Sequence, residues 1–224
     1  MRSRNSHKTI PDVCVERLSL YVRELDRLRE RGVAFVSSRR LAEALQLRDA
    51  QVRRDLSHFG QFGTSGRGYE VPRLVGSLRQ ILGIEGRTWN VGLAGVGNLG
   101  SALLAYHGFR ARGFVFRVAV DADARKVGRV IQGLTVERAE RLTDLVKSHH
   151  LHIGMIAVPA PLAQAVCDQF VEGGVRAIVS FAPARLDVPK TVQLRGVDLA
   201  LELEALAFHL ERDRAVAHDG LKHG

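Results

Sequence analysis

Apolar side chains in the first sixty residues recur at helical spacing in three separate segments. The first segment runs from 13 to 30, where apolar residues return every three or four positions. Ser37 and Ser38 can cap a short second helix, and Asp49 can cap a third helix over 50–59. Three short consecutive helices of this kind indicate a helix-turn-helix module.

A glycine-rich stretch follows the third helix and interrupts the helical pattern. Four glycines fall between positions 60 and 68, which fits either a flexible linker or the turns of a small sheet. Phe62, Tyr69 and Val71 flank these glycines in a strand–turn–strand rhythm, so we expect a β-hairpin, followed by a helix over 75–82. Three helices and a hairpin are the elements of a winged helix-turn-helix domain.

Strands and helices alternate through the rest of the chain. We predict strands over 89–94, 114–121, 153–158, 177–181 and, at an edge, 193–198, and helices over 98–107, 138–148 and 162–172. This alternation indicates a doubly wound α/β domain, in which a parallel sheet carries helices on both faces. A last amphipathic helix over 199–217 has these side chains on or near its apolar stripe: Leu199, Leu203, Leu206, Phe208 and Leu210.

The charge distribution supports this division into a winged-helix domain (1–84), an α/β domain (85–198) and a C-terminal helix and tail (199–224). The formal net charge is +9, and the first 80 residues contain 16 Lys/Arg against 9 Asp/Glu, whereas the remainder contains 17 against 15. A basic domain beside a nearly neutral one suggests a polyanion partner for the first. An arginine-rich proteome would explain the total charge but not its asymmetry.

The remaining composition excludes several classes of protein. Cys14 and Cys167 are far apart in apolar contexts, so we expect buried thiols rather than a disulfide or a zinc site, with a redox-active thiol as the alternative. The first residues have no apolar signal core, and Pro159 and Pro161 interrupt the longest apolar run, 153–166. We therefore expect a cytoplasmic protein without a bound metal.

A glycine fingerprint lies between the first strand and the first helix of the α/β domain. In the G-x-G-x-x-G pattern, Gly95 allows a tight turn, Gly97 lets a pyrophosphate approach the backbone, and Gly100 permits close helix–strand packing. Asp121 ends the next strand twenty-one positions later, where a carboxylate can bind ribose hydroxyls. With Asp123 close by, it disfavours a 2′-phosphate, although Arg125 and Lys126 oppose this. We predict a Rossmann-like domain that binds NAD(H).

The later strand ends do not carry the groups that a dehydrogenase needs. Residues 157–164 and 180–186 are small, apolar or proline at most positions, and no His–Asp or Lys–Glu pair stands near either segment. We therefore expect a cofactor-binding sensor that is not an enzyme. A small NAD-dependent oxidoreductase with an accessory basic domain, and a cofactor-binding scaffold, remain the alternatives.

The predicted third helix has the composition of a DNA-reading element. Arginine binds guanine edges and glutamine can read adenine, while basic residues of the preceding helix can contact phosphates. Arg67 at the hairpin tip suits a minor groove. The predicted DNA-binding residues are Ser37, Ser38, Arg39, Arg40, Gln51, Arg53, Arg54, Ser57, His58, Arg67, Gly68 and Tyr69. A solvated basic helix in a protein-binding module is the alternative.

Several segments together resemble the redox-sensing transcriptional repressor family Rex. They are SSRRLAEAL (37–45), QVRRDLSHFGQFG (51–63), GRGY (66–69), GVGNLGSALLAYHGF (95–109), VDADARKVG (120–128), VPAPLAQ (158–164), FAPARLDVP (181–189) and VDLALELEAL (197–206). The resemblance implies a homodimer that exchanges its C-terminal helix, binds operator DNA with the first domain, and is released when NADH binds to the second. NADH and NAD⁺ would be bound as effectors and not turned over.

The resemblance also implies roles for individual residues. The phosphate loop would comprise Gly95, Val96, Gly97, Asn98, Leu99 and Gly100, with Asp121 at the ribose and Tyr106, Val158, Pro159, Phe181 and Ala182 around the nicotinamide. Arg23 and Asp198 occupy the positions of a contact that changes with redox state. Two positions depart from the family pattern, which has asparagine where this chain has Ser180 and often where it has Gly196; we expect the first to loosen the nicotinamide pocket and the second to lie on a turn.

Overall fold

The chain folds into two compact units, Met1–Arg87 and Thr88–Gly224. The computed structural model describes residues 10–64 and 66–220, with side chains described as far as Arg212. Across these residues, no helix combines the length and the apolar character that crossing a membrane requires.

The described residues of the first unit form four helices and a small antiparallel sheet. Its elements are α1 (Asp12–Glu30), β1 (Phe35–Val36), α2 (Ser38–Ala44), α3 (Asp49–Ser57), β2 (Gly63–Thr64), β3 (Gly68–Glu70) and α4 (Val71–Ile81). The sheet has the order β1-β3-β2, so the predicted hairpin of β2 and β3 gains a third strand from the segment before α2. This is the winged helix-turn-helix arrangement that the sequence pattern predicts.

One apolar core holds these elements together. Every helix contributes fully buried side chains, among them Leu18 and Leu25 of α1, Leu56 of α3, and Leu74 and Leu78 of α4. Their spacing of three, four or seven positions places each set on one side of its helix. The unit is therefore folded around the interior sides of α1, α3 and α4.

Two helix boundaries differ from the prediction. Arg48, not Asp49, occupies the N-cap of α3, because Asp49 is already helical and its carboxylate pairs with Arg53 one turn later. The fourth helix begins at Val71, with Pro72 in its first turn. Proline is tolerated there because amides of the first turn have no partner within the helix, so its missing N–H costs no hydrogen bond. Val71 is therefore a buried helical residue and does not extend the hairpin.

The second unit is a seven-stranded sheet flanked by helices. Its elements are β4 (Trp89–Ala94), α5 (Asn98–Ala105), β5 (Phe114–Asp121), β6 (Val130–Ile131), β7 (Leu134–Arg138), α6 (Leu142–Ser148), β8 (Ile153–Ile156), α7 (Ala160–Gly173), β9 (Ala177–Ser180), β10 (Gln193–Gly196) and α8 (Leu199–Gly220). The sheet order is β10-β9-β8-β4-β5-β7-β6, and all neighbours are parallel except β6 and β7. Numbered along the chain, the six parallel strands lie in the order 3-2-1-4-5-6, which is that of a dinucleotide-binding Rossmann domain.

The helices pack on opposite faces of this sheet. Leu103 and Leu104 of α5 pack on the face that carries Leu93 of β4, whereas α6 and α7 cover the other face, where Phe170 and Leu145 are buried. The crossover from β5 to β7 contains a short antiparallel hairpin and no helix. The sheet face beside α5 is thus less covered than the opposite face.

Several predicted boundaries in this unit are wrong by a few residues. The region 138–148 starts with β7 and a single 3-10 turn, so α6 begins only at Leu142. Helix α7 begins at Ala160, with Pro161 in its first turn, and the strands before it and after it end earlier than expected. Gly196 is the last residue of β10 and pairs with Ser180, so it does not lie on a turn.

Candidate cofactor and DNA-binding sites

The three fingerprint glycines differ in the atoms that surround them, and each environment meets one requirement of a phosphate loop. Gly95 has a φ of +93°, and a Cβ there would lie 2.4 Å from the carbonyl oxygen of Ala157. At Gly100 a Cβ would lie 1.9 Å from the carbonyl oxygen of Gly95, so helix and strand are in contact there. A Cβ at Gly97 would have no atom within 4 Å, which leaves that part of the backbone open to a ligand.

Helix α5 starts at this open position. Gly97 is its N-cap and no side chain caps it, while Asn98 and Leu99 in the first turn are exposed. The first amides of a helix lack intrahelical acceptors and carry the positive end of the helix dipole. Val96 is buried beneath the loop. The residues present therefore fit the pyrophosphate of a dinucleotide.

Asp121 is tied into the same loop from the end of β5. Its Oδ2 accepts hydrogen bonds from the Val96 amide (2.8 Å) and the Lys126 ammonium (2.9 Å), and its Oδ1 accepts one from the Asp123 amide (2.8 Å). Burial raises the pKa of the Asp121 carboxyl, but the Asp123 amide, Lys126 and the Val96 amide together lower it below its ordinary value. The carboxylate is ionised, and Oδ1 retains an acceptor position for a ribose hydroxyl.

The two cations that could favour a 2′-phosphate both have carboxylate partners. Arg125 forms a two-pronged contact with Asp123, with nitrogen–oxygen distances of 3.0 and 2.9 Å. The Arg125 side chain holds the pKa of Asp123 down to about 2. Lys126 is paired with Asp121. Neither cation is therefore left uncompensated at the ribose position.

The predicted nicotinamide residues fall into two places. Val158, Pro159, Phe181 and Ala182 follow β8 and β9 at the carboxyl edge of the sheet, where the Phe181 amide donates to the Ile156 carbonyl oxygen (2.9 Å). Ala182 is buried, Val158 and Phe181 are half-buried, and Pro159 is exposed. Of these four residues, Val158 lies against the Gly95 turn, since a Cβ on that glycine would be 2.9 Å from its Cγ1.

Tyr106 lies at the other end of α5 from the phosphate loop. It is the C-cap of that eight-residue helix, about 12 Å along the axis from the phosphate loop, and 57% of it is exposed. Its ring meets Phe109 edge-on at 5.0 Å and lines a cavity of about 390 Å³ with Phe114, Phe116 and Arg117. Phe109, which contacts the Tyr106 ring, belongs to the same apolar cluster as Phe181.

The predicted recognition helix α3 presents part of the expected polar side. Arg54, Ser57 and His58 are exposed, and the Arg54 guanidinium has no polar partner within 10–64 and 66–220. Arg53 is exposed but engaged, since it contacts the Asp49 carboxylate (2.6 Å) and the Ser38 hydroxyl (3.2 Å). The helix therefore offers one free arginine and one arginine held in place.

Gln51 is half-buried, and this differs from the exposed position that the sequence predicted. Its amide nitrogen donates to the Asp55 carboxylate at 2.8 Å. Asp55 also accepts two hydrogen bonds from Arg17 (2.6 and 2.8 Å) and one from the Tyr21 hydroxyl (2.6 Å). Asp55 is 1% exposed, so α3 is joined to α1 by a buried carboxylate with four donors.

Sequence reasoning missed this network, although one signal for it exists. Asp55 stands at a position of α3 that the helical period places beside Val52 and Leu56, facing inward. A charged residue on the apolar side of a helix requires a buried partner. Arg17, which sits at helical spacing from Tyr21 on α1, was the available cation.

The other predicted DNA-binding residues lie at the start of α2 and on the wing. The Ser37 hydroxyl accepts from the Arg40 amide at 3.1 Å, and Arg39 and Arg40 are exposed. On the wing, Arg67 is exposed with its guanidinium above the Phe35 ring. Gly68 is half-buried, and Tyr69 is 9% exposed within the core.

The two predicted switch residues stand on α1 and before α8. Arg23 is exposed on α1. Asp198 is half-buried, and its Oδ1 accepts a hydrogen bond from the Ala200 amide (2.9 Å) at the start of α8. The two cysteines are buried, and burial is the first cause that raises the pKa of each thiol. Both thiols are thus protonated and covered.

Comparisons with known proteins match both units of the chain. A family model described as a CoA binding domain matches residues 86–184, and one described as a putative DNA-binding protein N-terminus matches residues 9–57. The redox-sensing transcriptional repressor Rex of Desulfitobacterium hafniense is 44% identical over 206 residues, which are 92% of this chain and 98% of that protein.

Two solved structures of the Rex-family repressor RSP also match. The complex with NAD⁺ and operator DNA has a TM-score of 0.88 at 33% identity, covering 97% of this chain and 100% of that one. The complex with NADH has a TM-score of 0.85 at 31% identity, covering 94% and 98%. The predicted fold class is confirmed, while the exchange of the C-terminal helix stays a prediction. The chain belongs to the Rex family of redox-sensing transcriptional repressors.

Proposed function

We propose that this chain is an NADH-responsive repressor that binds operator DNA as a homodimer and leaves it when NADH binds. The observation that carries the proposal is the phosphate loop around open Gly97, with the Asp121 carboxylate bonded to the Val96 amide of the same loop. The exposed arginines Arg53 and Arg54 of α3, together with the wing that follows it, support the DNA-binding half. RSP, which shares the fold, was crystallised with NAD⁺ and operator DNA and also with NADH.

The dinucleotide is bound as an effector and is not turned over. The positions after β8 and β9 contain Pro159, Phe181 and Ala182, and none of them can transfer a proton to or from a substrate. A repressor acting on chromosomal DNA works in the cytoplasm. Apolar groups at this edge suit a neutral dihydronicotinamide better than the charged oxidised ring, whose desolvation costs more.

NAD(H) is favoured over NADP(H) by the charges at the ribose position. Asp121 presents an ionised carboxylate there. Because Lys126 is paired with this carboxylate, its charge is not available to a 2′-phosphate. Arg125 is likewise occupied by Asp123. A 2′-phosphate would therefore meet two carboxylates whose neighbouring cations, Lys126 and Arg125, are already paired.

The exposed side chains of helix α8 support a homodimer that forms through this C-terminal helix. All side chains described on it, from Leu199 to Arg212, are exposed. Leu203 and Leu206 belong to a stripe with Leu199 and Leu210, but Phe208 lies with Leu201 on the opposite side, which corrects the single stripe that the sequence predicted. A helix with two apolar sides needs a body on each side, and a partner protomer supplies such surfaces.

The switch links the cofactor to the distance between two recognition helices. NADH binding favours a closed dimer in which the helices cannot span successive major grooves. Asp198 has its Oδ1 on the first turn of α8, which leaves Oδ2 for a partner such as Arg23. Replacing Asp198 with asparagine should leave NADH affinity near normal but uncouple it from DNA release.

Fluorescence anisotropy tests the proposal directly. The probe is a labelled duplex that the wild-type protein selects from a pool of random 30-bp DNA. We expect tight binding without nucleotide, release by NADH, weak release by NAD⁺, and no release by NADPH at the same concentration. Linkage requires that the duplex weaken NADH affinity by the factor by which NADH weakens DNA binding. NADH affinity that does not change on saturation with the duplex would contradict the switch.

A further inference from the structure

A large aromatic side chain lies on the outward face of the wing sheet. Val36 of β1 is 2% exposed and pairs with the core residue Tyr69. Successive side chains of a strand point to opposite faces, so Phe35 points away from this core, and it is half-buried. The ring therefore does not belong to the apolar core around Tyr69.

The guanidinium of Arg67 covers this ring. Its Cζ lies 4.2 Å from the centroid of Phe35, within the range of a cation–π contact. Among the described residues, no hydrogen-bond acceptor or carboxylate engages that guanidinium, and Arg67 is exposed. Within the described wing, the Phe35 ring is thus the group that contacts the Arg67 guanidinium.

The backbone fixes the position of the pair. Gly68 has a φ of +84°, and a Cβ there would lie 2.5 Å from the carbonyl oxygen of Val36, so β3 passes in contact with β1. The Arg67 amide donates to the Thr64 carbonyl oxygen (3.0 Å), which closes the turn of the hairpin. The Val71 amide donates to the carbonyl oxygen of Ala34 (2.9 Å), which fastens the far end of β3 beside Phe35. These contacts bring Arg67 and Phe35 together before any ligand binds.

We infer that Phe35 is a positioning residue for DNA binding, which holds the Arg67 guanidinium in the orientation in which it enters a minor groove. The inference rests on the proposed function. An unrestrained arginine loses rotamer freedom on binding, and a side chain ordered beforehand loses less. The aromatic ring contacts the face of the guanidinium and leaves its N–H edges available for acceptors on DNA.

A structural role for Phe35 is the alternative, because a half-buried ring also covers backbone. The two roles differ in one measurable respect. If Phe35 acts through Arg67, removing the ring weakens DNA binding only while Arg67 is present. If it acts on the fold, the loss is the same with and without Arg67.

A double-mutant cycle separates these roles, using the full chain and the duplex selected by the wild-type protein. Phe35→Met keeps most of the volume without the ring face, and Phe35→Tyr keeps the face. A surface cation–π contact corresponds to a factor of about 2–5, so we expect F35M to weaken DNA binding about threefold. In the R67A background we expect F35M to change binding by less than about 1.5-fold, and F35Y to bind like wild type.

Salt dependence and two control variants complete the experiment. R67A should weaken binding about tenfold and lower the salt slope by about one, as the loss of one DNA contact does. Phe62→Leu alters another half-buried phenylalanine of the same unit, and Arg31→Ala removes an exposed charge at the end of α1. We expect both to bind DNA like wild type, with Arg31→Ala also keeping the wild-type melting temperature.

Several outcomes would overturn the inference. Equal losses from F35M with and without Arg67 would assign Phe35 to the fold, as would a loss that F35Y does not restore. Wild-type DNA binding by R67A would show that Arg67 does not contact DNA. NADH-dependent release would be unaffected by that result, so the proposed function would stand. Selection of no duplex by the wild-type protein would defeat both. If F35M lowers the melting temperature, Phe35→Leu replaces it in the cycle.

Discussion

The glycines of the phosphate loop differ in what a methyl group would meet, and this separates folding from binding. Gly100→Ala would place Cβ 1.9 Å from the Gly95 carbonyl oxygen, so we expect it to lower the free energy of unfolding by about 1–3 kcal/mol. Gly97→Ala would meet no protein atom, so we expect unchanged stability but NADH binding at least about tenfold weaker.

Thermal unfolding and energy transfer from Trp89 to NADH measure these two effects. Gly76→Ala is the matched control, because that glycine lies in α4 with open space at its Cβ. Wild-type NADH affinity in the Gly97→Ala protein would mean that the pyrophosphate lies elsewhere.

The two neighbouring arginines of α3 should contribute differently to base recognition. Arg54 is free to reach a guanine edge, so Arg54→Ala should cost about 1–3 kcal/mol of operator binding and relax base preference at one position. Arg53 is held by Asp49 and Ser38. Asp49→Asn should therefore reduce the contribution of Arg53 to operator binding and leave that of Arg54 unchanged. Competition with single-base variants of the selected duplex measures both effects. A double Arg53, Arg54 alanine variant that keeps wild-type affinity and selectivity would show that α3 does not read the bases.

At the scale of elements, the Asp55 carboxylate adds a polar link between α3 and α1 to their shared apolar core. Burial raises the pKa of Asp55, but hydrogen bonds from Arg17, Tyr21 and Gln51 prevail and bring it to about 2. A pKa lowered in the folded state stabilises the fold fully above the unfolded value of 3.8, and this contribution disappears as the pH falls towards 2. The contribution amounts to roughly 2 kcal/mol.

Asp55→Asn should therefore lower the free energy of unfolding at neutral pH by about 2–3 kcal/mol, because Arg17 would lose its charged partner. Urea unfolding at pH 7, 4 and 2.5 should show the difference from wild type narrowing below pH 4. A difference that is constant across this range would mean that packing, and not the ion pair, joins α3 to α1. Asp49→Asn is the control at an exposed carboxylate of the same helix.

The elements found from the sequence are those whose signals are local. The helical period of α1 and α3, the glycines after β4, and the strand–helix alternation each lie within one short window. The hairpin of β6 and β7 was missed although Gln132 and Gly133 both have positive φ, as in a tight two-residue turn. A glutamine at that position does not mark a turn as asparagine would.

The features missed at the sites depend on distant parts of the chain. Strand β1 has two residues and exists because it pairs with β3, more than thirty positions later. Likewise, Asp55 finds Arg17 38 positions away. Tyr106 was grouped with the nicotinamide residues by family resemblance, and its position at the end of α5 appears only once the length of that helix is known.

At the scale of the whole molecule, the proposed homodimer depends on α8. Its described side chains are all exposed, so Leu203→Ser with Leu206→Ser removes no packing within the protomer. We expect this variant to sediment as a monomer and to keep its thermal stability, while its affinity for a two-half-site operator falls steeply. Ala207→Ser, between the two apolar sides, is the control. A variant that remains dimeric would assign the interface to another surface.

If α8 joins two protomers as proposed, its two apolar sides also make the repressor respond to its own abundance. An association that depends on meeting a second copy follows mass action, so fewer copies mean a smaller fraction of assembled protein. Operators would then be vacated at low copy number even when the nicotinamide pool is fully oxidised. A cell could therefore set the sensitivity of the redox response through the rate at which it makes this protein.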